Sequence, residues 1–140
     1  MIVYFDASAL AKRYVEEEHT PEVLRWLEQS TPVVCRLSEV EIASALARRC
    51  REHALSRPER DRALGALEED LQALHVVELS PDVVSTASEI LLRHPLRAAD
   101  AIQLGSALIL RERLRTAIAF ATFDQRLAAA SQAEGLRAPS

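Results

Sequence analysis

Apolar residues fall in four runs too short for helices and too unbroken for one-sided surface strands. They are Ile2 to Phe5, Pro32 to Cys35, His75 to Leu79 and Ala117 to Thr122. Short continuous apolar runs of this kind are how strands covered on both faces read. Between them the apolar positions fall three and four apart, the spacing of amphipathic helices. Helices are predicted from Asp6 to about Glu17, Thr20 to about Gln29, Ser38 to about His53, Glu59 to about Leu74, Pro81 to about Arg93, Ala99 to about Leu114 and Asp124 to about Glu134. Thr20-Pro21, Ser56-Arg-Pro-Glu59 and Ser80-Pro81 supply start signals, with the hydroxyl as N-cap and proline in the first turn. Strands separated by helices need crossover connections, so the expected fold is α/β, a parallel sheet with helices on both faces. The tail Gly135 to Ser140 is a weak edge-strand candidate, which makes the sheet four- or five-stranded.

Length and composition narrow this further. The 140 residues contain no linker, repeat or low-complexity segment, so one domain over 1–140 is expected. With 49% hydrophobic and 27% charged residues, disordered and fibrous classes are excluded. No basic leader precedes the first strand, and no apolar stretch approaches the ~20 residues that cross a bilayer. Cys35 and Cys50 lack metal-ligand spacing and read as buried free thiols, so a reducing, cytoplasmic setting without membrane contact is expected. Only three glycines are present and no glycine-rich loop follows the first run, which excludes dinucleotide and P-loop sites.

The candidate chemistry lies in the acids. A parallel sheet places its site beyond the carboxyl ends of its strands. The first strand runs into Asp6 and the fourth into Thr122-Phe-Asp124, while Glu41 and Asp100 sit early in their helices beside apolar positions. Each has an ordinary alternative as a helix cap: Ser38-Glu-Val-Glu41 fits a capping box, Asp100-Ala-Ile-Gln103 resembles one, and Asp124 and Asp6 each precede a helix. Four acids at one sheet edge repel one another, and a divalent cation removes that cost. Oxygen ligands favour Mg²⁺ or Mn²⁺ over zinc, and His19, His53, His75 and His94 are too scattered to compete.

The blocks Asp6-Ala-Ser-Ala-Leu-Ala-Lys-Arg-Tyr14, Glu41-Ile-Ala-Ser-Ala-Leu46, Leu96-Arg-Ala-Ala-Asp100-Ala-Ile-Gln-Leu-Gly-Ser-Ala-Leu108 and Ala121-Thr-Phe-Asp124-Gln-Arg-Leu127 stand in one order across nearly the whole chain. Together they resemble PIN-domain ribonucleases of the VapC toxin branch of type II toxin–antitoxin systems. Gln103 and Gly105 stand where related sequences often carry other residues. The resemblance implies a three-layer fold around a short parallel sheet and a Mg²⁺-dependent endoribonuclease, with Mn²⁺ as a substitute. Asp6 and Asp100 would be the metal ligands, and Glu41 and Asp124 would complete the catalytic acids. Ser8 and Thr122 would orient a water or phosphate oxygen; both could equally be local caps. A homodimer silenced by a small VapB-type antitoxin is also implied.

The net charge of −4 means that an RNA substrate must meet a local basic patch rather than the whole molecule. Arg48, Arg49 and Arg51 form the densest basic stretch and are the candidate RNA contacts, although such residues also pattern ordinary solvated helix faces. No base-stacking platform stands out among the six aromatics. The competing class is a Mg²⁺-binding, receiver-like signalling module or a non-catalytic scaffold. A receiver needs a lysine near its last strand, whereas the one lysine here is Lys12.

Overall fold

The computed structural model describes residues 1–140. The elements are β1 (Ile2–Phe5), α1 (Ala7–Ala11), α2 (Thr20–Gln29), β2 (Thr31–Cys35), α3 (Leu37–Arg51), α4 (Arg57–Ala73), β3 (His75–Val77), α5 (Pro81–Arg93), α6 (Ala98–Leu114), β4 (Ile118–Ala121) and α7 (Gln125–Ala133). All strand pairs are parallel, in the order β3-β2-β1-β4. The strand order therefore reverses between β1 and β4. The tail adds a single bridge, Ala119 to Arg137, with Phe120 N–H donating to the Arg137 carbonyl at 2.7 Å, rather than a fifth strand.

The period of two in each strand splits the core into two layers. Tyr4, Val33, Val77, Ile118 and Phe120 face α5, α6 and α7, whereas Val3, Phe5, Val34, Ala119 and Ala121 face α1 to α4. This is the expected three-layer α/β arrangement. Gly105 permits its closest helix contact: a Cβ there would meet Ala87 N at 3.2 Å and Val83 O at 3.3 Å. Pro32 is tolerated inside β2 because β3 pairs only from Val33 onward, so its missing N–H leaves no rung of that ladder unmade.

Three local expectations are corrected. The first helix stops at Ala11, not near Glu17, because the following loop is tied from its own side. Thr20 Oγ accepts from Glu17 N–H at 3.0 Å and donates to the Lys12 carbonyl at 3.1 Å. Thr20 is thus the first residue of α2, and His19, in the left-handed region at φ 69°, takes the N-cap position. At α3 and α6 the N-caps are Arg36 and Arg97, so neither expected capping box forms there. Those at Ser56 and Ser80 do cap through their hydroxyls, as does Asp124 through its carboxylate. Both cysteines are free, Cys35 buried and Cys50 half-buried. No helix is long and apolar enough to cross a membrane.

Candidate functional site

Asp6 follows β1 directly, and its N–H extends the ladder to the Ala121 carbonyl at 3.1 Å. The side chain is only 3% exposed. Oδ1 accepts from Ser8 Oγ and from Ala9 N–H, both at 2.8 Å, so Asp6 does cap α1. Oδ2 accepts from Thr122 Oγ1 at 2.6 Å, a bond that spans the reversal between β1 and β4. Burial pushes this carboxyl from 3.8 up to about 6; the three hydrogen bonds pull it down and Asp100 pushes it further up. The usual position of a ligand site in such a sheet is thus occupied by a buried carboxylate whose ionisation is disfavoured.

Asp100 stands in the first turn of α6, after the N-cap. Burial and then Asp124 raise its carboxyl, with Arg97 opposing. Glu41, half-buried on α3, is raised by burial and by Asp100 and held down by a hydrogen bond from Gln103. That bond, Gln103 Nε2 to Glu41 Oε1, measures 2.8 Å. Asp100 is therefore the electrostatic hub, felt by Asp6 and Glu41 and itself feeling Asp124. Asp124 spends Oδ1 on the Leu127 N–H at 2.9 Å, and its own N–H donates to Thr122 Oγ1 at 3.1 Å. No three carboxylate, imidazole or thiolate groups meet as a ligand cluster. Asp6, Ser8 and Thr122 are brought into direct contact, Asp124 is tied to them by its N–H on Thr122, and Asp100 acts on Asp6 and Glu41 through its charge.

Two features were not visible in the sequence. Gln103, taken there as part of a capping box, instead bridges α6 to α3. Phe123, between Thr122 and Asp124, stacks on His19 at 4.7 Å and Trp26 at 5.8 Å, with Lys12 Nζ 4.9 Å from its ring centre. This aromatic cluster anchors the turn that carries Thr122 and Asp124. Lys12 also pairs with Glu17 at 3.1 Å, and Glu17 in turn holds Arg49. Arg49, half-buried, is thereby committed within the fold, whereas Arg48 and Arg51 are exposed.

A surface hollow of about 1010 Å³ lies by the amino ends of β1 and β4, away from these acids. Its Glu89 and Glu112 are interleaved with Arg111, Arg115 and Arg137, and it gathers no carboxylate cluster. Size does not identify the chemistry here; the end of the sheet does.

Comparison with known proteins agrees with this fold. Residues 3–132 match the PIN domain. Ribonuclease VapC45 of Mycobacterium tuberculosis (strain CDC 1551 / Oshkosh) is 33% identical over 137 residues, covering 97% of this chain and 93% of that protein. Among solved structures, the sarcin–ricin-loop-cleaving toxin VapC20 of Mycobacterium tuberculosis aligns with a TM-score of 0.68 at 18% identity, over 91% of this chain and 94% of that one. A toxin–antitoxin complex from Klebsiella pneumoniae gives a TM-score of 0.65 at 14% identity, over 90% of each chain. The chain belongs to the PIN-domain family, in the company of the VapC proteins.

Proposed function

We propose that this chain is a divalent-cation-dependent endoribonuclease, the toxin of a type II toxin–antitoxin pair, built as one PIN domain over residues 1–140. One observation carries the reading. Asp6 is buried at the strand-order reversal and raised to about 6, and Asp100 raises both Asp6 and Glu41 while being raised by Asp124 and opposed by Arg97. The ribonuclease name of the 33%-identical relative supports the choice of RNA.

A hard cation fits these donors, which offer oxygen only. Mg²⁺ keeps several waters and commonly takes one or two carboxylates, so a site without three converging acids suits it. Asp6 and Asp100 would hold it. When bound, such an ion lowers the pKa of a coordinated water and offsets charge on the phosphate. The remaining work falls to the chain. Ser8, Thr122 and the Ala9 N–H fix both oxygens of Asp6 without neutralising it. Glu41 has Oε1 engaged by Gln103, which leaves Oε2 to accept a proton from the attacking water. Attack is direct, with no covalent enzyme intermediate. Arg51 and Arg48 remain the RNA contacts of the original three, and Arg49 acts through Glu17.

The same reading includes a small antitoxin partner, a homodimer and a cytoplasmic setting. It disfavours the receiver alternative, because Lys12 is held by Glu17 and lies over Phe123. The test is cleavage of a mixed structured-RNA pool by purified protein with Mg²⁺, with EDTA, and with Asp6→Asn. Discrete cleavage that disappears with EDTA and falls at least about a hundredfold in Asp6→Asn is expected. Metal-dependent cleavage at the wild-type rate by folded Asp6→Asn overturns the assignment.

A further inference from the structure

Gln103 is a primary amide buried to 2% exposure, in the layer between the sheet and α6. A buried amide is costly unless its polar atoms are satisfied. Here they are satisfied in a directed way. Oε1 accepts from the Tyr4 hydroxyl at 2.7 Å, and Nε2 donates to Ser38 Oγ at 3.0 Å and Glu41 Oε1 at 2.8 Å. Both amide hydrogens are therefore used. Turning the amide over would set Oε1 against the Glu41 carboxylate, acceptor facing acceptor, so its orientation is fixed.

The fixed point behind it is the sheet. Tyr4 lies inside β1, fully buried, with its ring stacked on Phe120 of β4 at 5.2 Å and 6°. Tyr4 is also two residues before Asp6, so one strand delivers Asp6 to the site and anchors the amide that reaches Glu41. Glu41 has no other hydrogen-bonding side-chain partner, and its rotamers are otherwise free to swing toward solvent. The geometry points to Gln103 as a positioning residue that holds Glu41 Oε1 and thereby presents Oε2 to the reacting water. This rests on the ribonuclease reading of the acid cluster.

A double-mutant cycle separates positioning from simple support of the core. Gln103→Met keeps the side chain's length and removes every hydrogen bond. In the wild-type background it lowers kcat about tenfold with KM nearly unchanged. In Glu41→Ala it lowers kcat less than about twofold, because the group it positions is already gone. Ser38→Ala removes the other Nε2 bond and keeps kcat within about twofold of wild type. A second readout needs no turnover. The side-chain amide protons of Gln103, observed by ¹⁵N NMR, shift in Glu41→Ala and stay in place in Asp124→Ala.

Equal losses from Gln103→Met in both backgrounds, an equal loss from Ser38→Ala, or amide signals indifferent to Glu41 overturn the positioning role. If Gln103→Met does not fold, Tyr4→Phe, which removes the amide's anchor on the sheet while leaving the amide in place, takes its position in the cycle with the same expected pattern at about threefold. A wild-type protein without Asp6-dependent cleavage overturns the ribonuclease reading itself. Wild-type cleavage undiminished in Gln103→Met overturns only the role of Gln103.

Discussion

The chain treats its carboxylates in two opposite ways. Outside the acid cluster around Asp6, several are paired with cations and hydrogen-bonded by them. Glu78 is lowered by bonds from Arg36, and Glu134 by Arg93 and then His94. Asp70 is raised by burial, but Arg13 and Tyr14 more than reverse this. At the edge, Asp6, Glu41 and Asp100 are all raised, with burial the first cause in each. Cations are not scarce: 17 basic residues are available, yet no basic side chain hydrogen-bonds these three acids, and Arg97 opposes only the rise of Asp100. Their hydrogen-bond donors are Ser8, Thr122, Gln103 and the Ala9 N–H, all neutral. Neutral donors fix where a carboxylate points without cancelling its charge. The edge is thus built to hold negative charge in a set geometry, at a cost in stability.

The sharpest way to break this comparison is Asp6→Asn. A rise from 3.8 to about 6 corresponds to about 3 kcal/mol of lost stability once the group is ionised. The folded state holds its proton more tightly than the unfolded chain, so stability falls as pH climbs from about 4 to about 6 and the full cost persists above that. Asp6→Asn is expected to melt higher than wild type at pH 7 and to lose most of that slope, with a gain of up to about 3 kcal/mol. Thermal melts between pH 4 and 8 check it. A variant that melts lower at every pH means that the three hydrogen bonds, rather than the charge, dominate.

Addition of Mg²⁺ or Mn²⁺ sharpens the same point. A cation that binds the folded edge at about tenfold above its dissociation constant stabilises by about 1.4 kcal/mol. That rise in melting temperature is expected in wild type and absent in Asp6→Asn. Equal rises in both proteins place the ion elsewhere.

The same contrast separates what the sequence disclosed from what it withheld. Buried parallel strands read directly, because four apolar runs such as Ile2–Phe5 have no other economical use. Asp6 and Asp124 read as strand-end acids because each directly follows such a run or nearly so. Caps were less legible, since Ser38-Glu41 and Asp100-Gln103 fit a local pattern that tertiary bonds overrode. Gln103 found better partners in Ser38 and Glu41, 65 and 62 residues away, than in its own helix start. The commitment of Arg49 to Glu17, 32 positions apart, is hidden for the same reason. Local pattern shows what a residue can do, and packing between distant segments decides which option it takes.

On the paired side, the strongest test is Asp70→Asn. Asp70 on α4 receives Arg13 Nε at 2.6 Å and the Tyr14 hydroxyl at 2.7 Å, tying the α1–α2 connection to the α3–α4 layer. Arg13 is 43% exposed, so screening reduces its contribution, and a loss of about 1 kcal/mol is expected at neutral pH. Because the folded carboxyl lies below its ordinary value, this stability is present at neutral pH and fades as acid protonates it. The wild-type and variant melts should therefore converge at low pH, as those of the Asp6 pair do, but with wild type above the variant at neutral pH rather than below it. Parallel curves instead mean that the loss comes from packing of Tyr14.

The smallest effect belongs to Arg36→Gln. Arg36 contacts Glu78 at 2.6 Å and Glu39 at 3.2 Å, with all three side chains close to half exposed. Water and salt solvate each partner nearly as well when they are apart, so the short distances report geometry rather than stabilisation. Arg36 also occupies the N-cap of α3, where a positive charge faces the positive end of the helix dipole and offsets part of the pair. Arg36→Gln should leave the melting temperature and RNA cleavage unchanged at about 0.15 M salt, and any difference should disappear at about 1 M. A salt-resistant drop as large as that of Asp70→Asn would place this exposed pair with the buried ones. The contrast between the two sets of acids would then rest on burial of the carboxylate alone, not on how its partner is solvated.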